Sequence, residues 1–142
     1  MVKHVGRAAM DVKTEKFTIS WDEKEKILLV RFIGDQSESE AKEYAAKLRS
    51  IMGTLKNKGE VVDKGIVDLT KAGKPSLGAR KQYMEVTDEY TEGVENGKIA
   101  YVGADVFNEV VARFIHSFNT FLVKIGYFTS ISEAKEWLKK PQ

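Results

Sequence analysis

Ser76 lies in the segment KAGKPSLGARK, with Lys71, Lys74, Arg80 and Lys81 beside it. A serine at the start of a helix sits among free backbone amides at the positive end of the helix dipole. That setting favours a phosphate, and neighbouring cations favour it further. Ser76 with Lys74 is therefore a candidate phosphoacceptor or anion site. The same hydroxyl also reads as an ordinary helix cap, contributing about 1 kcal/mol to the fold.

Asp68 and Thr70 close the apolar run KGIVDLT. Ligands of open α/β sheets bind beyond the carboxyl ends of parallel strands, near a switch in strand order. Asp68 and Thr70 are candidates for such an edge, as is Gly103-Ala104-Asp105 at the end of the next strand. Asp68 is equally suited to hold its own loop through backbone amides.

Phe107, Phe114 and Phe118 recur on one apolar helix, with Phe121 and Trp137 further along. They could line a hydrophobic pocket closed by a few polar groups. The alternative is plain core, which a domain of this size needs for stability. Any that face outward would make a patch for a second subunit.

Other chemistry finds no support in the residues. There is no Cys, which removes disulfides and thiolates. His4 falls in the N-terminal arm, and His116 sits beside apolar Ile115, where a lone His is typically a hydrogen-bonded structural residue. No His-Glu-x-x-His, Ser-His-Asp or Gly-Lys-Ser/Thr grouping occurs. Gly73 and Gly78 are too sparse to cradle a phosphate. Glu85, Asp88, Glu89, Glu92 and Glu95 read as a solvated helix face, not a metal site. The reading is of a chain with no catalytic set, no metal and no cofactor.

The elements that must position the candidates follow from periodicity. Residues 1–15 show no period and read as a loose arm. Phe17, Ile19 and Trp21 alternate in a half-buried strand, Lys16–Trp21, expected at a sheet edge. After the charged turn DEKEK, Ile27–Ile33 is a buried strand, which makes a hairpin. Ser37 with Glu40 forms a capping box for a helix whose inner face carries Ala41, Tyr44, Ala45, Leu48, Ile51, Met52 and Leu55. Lys64–Thr70 is a strand, and Lys71–Pro75 a loop. A helix capped by Ser76 runs to about Thr91 and is broken by Gly93 and Asn96-Gly97. Lys98–Gly103 is a strand. A helix capped by Asp105 reaches Leu122, followed by a short strand, Lys124–Phe128. Ser130 with Glu133 opens the final helix, and Pro141 lies past its end.

The order β-β-α-β-α-β-α-β-α predicts an α/β domain with a mixed, mostly parallel sheet. Residues 16–140 form one domain, without internal repeats or linkers. Lys and Arg total 23 against 21 Asp and Glu, a net charge of +2, with signs interleaved along the chain. A nucleic-acid footprint is not expected from that pattern. No apolar run reaches the roughly 20 residues that span a bilayer. The polar start MVKHVGRAAMDVKTEK has no signal-peptide core, so a cytoplasmic location is the expectation.

The strand Phe17–Trp21, the run ILLVRFIG, the stretch IVDLT…PSLGAR and the ending FTSISEAKEWL resemble the SpoIIAA-like proteins of the STAS and Sec14-like fold group. The resemblance covers roughly residues 16–140. It implies a four- or five-stranded mixed sheet with an N-terminal hairpin and about four helices. In the anti-sigma-factor antagonists of that group, a serine opening the helix after the third strand is phosphorylated by a partner kinase. Ser76 is nearest to that position. The antagonists carry an Asp-Ser-Ser-Gly-like sequence there, whereas this chain has Lys74-Pro75-Ser76-Leu77-Gly78.

Two functions follow as expectations. One is a non-enzymatic regulatory or protein-interaction domain of STAS type, working through the Lys71–Arg80 segment and switched at Ser76. The other is a carrier of an apolar small molecule or lipid in a Sec14-like pocket. A carrier should hold a closed apolar cavity of a few hundred cubic ångströms beside Phe114 and Phe118. A homodimer through the helices is compatible with either.

Overall fold

Alternation at Phe17, Ile19 and Trp21 buries all three on one side of a strand. It starts a sheet that grows in a single direction. The computed structural model describes residues 10–92, 94–116 and 123–141. Its strands are β1 (Asp11–Lys13), β2 (Phe17–Asp22), β3 (Ile27–Gln36), β4 (Lys64–Pro75), β5 (Gly97–Val102) and β6 (Val123–Phe128). Its helices are α1 (Glu38–Asn57), α2 (Leu77–Thr91), α3 (Val106–Ile115) and α4 (Ile131–Lys139).

Among the described residues the sheet has six strands in the order β1-β2-β3-β4-β5-β6. β1, β2 and β3 are antiparallel neighbours, and β3 to β6 are parallel. Two sequence expectations are corrected here. Asp11–Lys13, assigned to the loose arm, pairs with β2 and takes the sheet edge in its place. Only Val12 of that strand turns inward, too little for a period to show. The strand expected to stop at Thr70 runs on to Pro75, because β3 continues beside it through two register shifts.

Because strand order never reverses, crossovers of one hand place their helices on one face. α1, α2 and α3 pack there over Phe17, Ile19, Leu28, Val30 and Phe32. Of the described helices α4 covers the other face, where Ala134 and Leu138 meet Ile27, Ile66, Ala100 and Val102. The helix starts are those expected from the sequence. Ser37 and Glu40 form the reciprocal capping box, and Ser76, Asp105 and Ser130 each accept from the backbone amide three residues on.

Candidate functional site

The sheet separates the residues that sequence proximity had grouped. Asp68 and Thr70 lie on the α4 face. Arg31 Nε donates to Asp68 Oδ2 at 2.8 Å, while Thr70 donates to Asp68 Oδ1 from its amide at 2.9 Å and its hydroxyl at 2.7 Å. Burial pushes the Asp68 carboxyl up, but the hydrogen bonds from Thr70 and Arg31 outweigh it and hold it below its ordinary value. Both carboxylate oxygens are thus engaged within the sheet. The parallel strands also lack the reversal of order that would open a crevice at their carboxyl ends. Thr70 instead packs against Gly103, whose positive φ of 70° closes β5.

Ser76 lies on the opposite face, exposed at the start of α2. Its Oγ accepts from Ala79 N at 3.1 Å, and its own amide donates to Gln36 O at 2.9 Å. Lys74 and Arg80 are drawn to a shared partner, the ring of Phe107, at 5.3 and 5.0 Å from its centroid. Two carboxylates border the same helix start. Asp35 Oδ1 accepts from Lys74 N at 2.8 Å, and Glu38 lies so close to Gly78 that a Cβ there would overlap it. A free anion at this helix start meets Glu38 as well as the two cations.

The aromatic candidates are also divided. Phe107 is half-buried between α2 and α3, and Trp137 packs at a tilt against Phe128 across the sheet from it. Phe114 was expected inside but is 52% exposed, and Val106 and Val110 are 84% and 60% exposed. Positions 106, 110 and 114 share one side of α3, while Val111, Ala112 and Ile115 fill the side facing the sheet. The helix is apolar over a wider arc than its one packing surface needs. Phe118 and Phe121 lie outside the described residues, as does His4.

Among the described residues, two cavities lie beneath the helices, of about 120 Å³ and about 80 Å³. Neither is walled by Phe107, Phe114 or Trp137, and both are below the few hundred cubic ångströms expected of a carrier. The smaller lies under α3 and α2, walled by Val67, Leu69, Tyr83, Val111, Ala112 and Ile115 among others. Gln36 reaches it from the end of β3. No signal in the sequence marks that glutamine.

His116 is buried at the end of α3 and shares a 2.6 Å hydrogen bond with Tyr101 Oη. No group of His, Asp and Glu arranged to hold a metal occurs among the described residues. No helix among them is long and apolar enough to cross a membrane.

No family model and no curated protein matches the chain. Solved structures do. An uncharacterised protein of the DUF3478 family from Shewanella loihica PV-4, with a SpoIIAA-like fold, superposes with a TM-score of 0.65 at 17% identity, over 91% of this chain and 98% of that one. The fold is SpoIIAA-like. A candidate anti-sigma factor antagonist from Thermotoga maritima superposes with a TM-score of 0.59 at 16% identity, over 87% of this chain and 95% of that one. The anti-sigma factor antagonist SpoIIAA in its unphosphorylated form gives 0.53 at 12% identity, over 85% and 94%. The SpoIIAA-like fold expected from the sequence is therefore present, with a sheet of six strands where four or five were expected.

Proposed function

We propose that this protein is a non-enzymatic regulatory domain that binds a protein partner through the surface around Ser76. The observation that carries this reading is a group of outward apolar side chains beside an exposed serine. Leu77 is 77% exposed, next to Ser76, and Val106 and Val110 are exposed on α3. Phe107, gripped by Lys74 and Arg80, joins the two helix starts. Exposed apolar groups rimmed by charge are the usual make-up of a protein-binding patch.

Charge on Ser76 would switch this surface. Phosphorylation adds roughly −1.5 to −2 charges at neutral pH, within reach of the α2 dipole. It would attract Lys74 and Arg80 away from Phe107 and repel Glu38. A free anion must enter against Asp35 and Glu38, so covalent modification fits this helix start better than reversible anion binding. The solved SpoIIAA structure, described as its unphosphorylated form, supports the same reading by analogy of fold.

The test is site-specific photocrosslinking from positions 77 and 110 in cells, followed by reconstitution with the purified crosslinked partner. Leu77→Glu and Val110→Glu should each weaken that binding at least tenfold, and Ser76→Asp should change it by a similar factor. Val61→Glu, on a loop residue that is 72% exposed, should leave it unaltered. Binding indifferent to changes at 77 and 110 overturns the surface. Binding indifferent to Ser76→Asp and to phosphorylated Ser76 overturns the switch.

A further inference from the structure

We propose that the smaller cavity, beneath α2 and α3, is a binding site for a small neutral molecule carrying a hydroxyl group on a compact apolar body. The proposal is independent of the surface around Ser76.

Two polar atoms in the walls carry it. Gln36 is 4% exposed, and its Nε2 donates to Lys16 O at 3.0 Å and Ile33 O at 3.1 Å. Those two carbonyls fix the amide's orientation, since the reverse would set Oε1 against them. Gln36 Oε1 is left buried with no hydrogen-bond partner among the described residues. Tyr83 is 9% exposed, and its hydroxyl is likewise buried without a partner. Its ring is held edge-on or tilted against Phe32 at 5.1 Å and Tyr44 at 5.6 Å, so the hydroxyl cannot swing out to water. Both residues line the cavity. A buried polar atom left unpaired costs about 1–3 kcal/mol, and folded proteins hold few of them.

The rest of the wall defines the occupant. Val67, Leu69, Val111 and Ile115 give the cavity an apolar body. Of the further polar residues in the wall, Asn108 Nδ2 donates to Gly73 O and Tyr101 Oη pairs with His116, and Thr87 and Tyr44 line it as well. A water needs roughly 10–15 Å³ of such volume and two to four polar partners. About 80 Å³ therefore exceeds what two orphaned atoms can keep filled with water. A hydroxyl answers both atoms: it donates to Gln36 Oε1 and accepts from Tyr83. A carboxylate cannot donate to Gln36, and an ammonium cannot accept from Tyr83. The larger cavity shares Tyr44, Val67, Thr87 and Tyr101 as walls, so an apolar body has room to extend toward it. Together the volumes suit a molecule of about phenol size and exclude a two-chain lipid, since benzene occupies an engineered cavity of about 150 Å³.

Phenol is the probe and benzene its comparator, titrated into the full chain with methyl groups of Leu69, Val111 and Ile115 observed by NMR. Phenol should shift those signals saturably and bind at least tenfold more tightly than benzene, leaving the exposed methyls of Val106 and Val110 unmoved. Tyr83→Phe removes only an unpartnered hydroxyl, so its melting temperature should not fall, and it should lose most of the preference for phenol. The proposal is overturned if phenol gives no saturable shift, which would mean water only. Benzene binding as tightly as phenol to the parent protein also overturns it, as does an unchanged phenol affinity in Tyr83→Phe.

Discussion

Arg31 and Asp68 meet across the parallel pair β3 and β4, with Nε 2.8 Å from Oδ2, on the sheet face away from Ser76. This places Asp68 in the framework of the sheet, where it anchors Arg31 on one side and the Thr70 turn on the other. Asp68→Ala should cost about 2 kcal/mol, because it strands the Thr70 amide and hydroxyl. Urea denaturation measures this directly. The folded carboxyl lies below its ordinary value of 3.8, so its contribution is present above that pH and is lost as pH falls through the lower folded value. Partner binding at the Ser76 surface should be unaltered in the folded fraction. A loss of binding without a loss of stability would return Asp68 to the working surface.

The contrast between Asp68 and Ser76 shows what was legible in the sequence. Strand and helix periods, the capping serines and the α/β class were readable because each is a local pattern. The side of the sheet on which a residue lands depends on strand order, which no local pattern encodes. Asp68 and Ser76 are eight positions apart yet lie on opposite faces. β1 was missed because three residues with one inward side chain carry no period. The outward turn of Val106, Val110 and Phe114 was not decided by the sequence, because apolar residues occupy more than one arc of α3 and the pattern does not show which arc is packed. Gln36 was missed because its importance lies in the hydrogen bonds that fix it, to Ile33 O within β3 and to Lys16 O just before β2.

Gly103 should tolerate no side chain. Its φ of 70° disfavours any residue with a Cβ by about 1–2 kcal/mol. A Cβ would also meet Thr70, 3.1 Å from Cα and overlapping Cγ2. Gly103→Ala should therefore lower stability by more than about 2 kcal/mol in denaturant titration. Thr70→Ser removes the obstructing methyl and keeps the hydroxyl bond to Asp68, so it should recover part of the loss in the double variant. Additive losses in the double variant would show that the contact is not the cause.

Lys98 closes the carboxyl end of α4 from beneath. Its Nζ donates to Trp137 O at 2.9 Å and Lys140 O at 2.6 Å and lies 5.0 Å from the centre of the Trp137 ring. Burial, reinforced by Lys124, Lys64 and Lys140, pushes the ammonium below its ordinary value. A cation satisfying the last carbonyls of a helix contributes about 1 kcal/mol. Lys98→Met retains the aliphatic stem, so it should cost about that amount and speed amide exchange at the end of α4. Unchanged exchange there would refute the cap.

His116 gives stability a pH dependence of its own. Its imidazole is buried at the end of α3, 2.6 Å from Tyr101 Oη, and burial pushes it down to about 4 from an ordinary value of 6.5. Between those values the unfolded chain takes up a proton that the folded protein refuses. Stability should therefore fall as pH drops below 6.5 and level off for this group near 4, by about 3 kcal/mol in all. His116→Gln keeps a polar side chain for the Tyr101 hydroxyl and cannot titrate. It should be less stable than the parent at pH 7.5, with the gap closing or reversing by pH 4.5. His4 and the carboxylates are common to both proteins, so the difference between their urea midpoints isolates His116. Parallel curves across that range would show that the imidazole gains its proton while the fold stays intact.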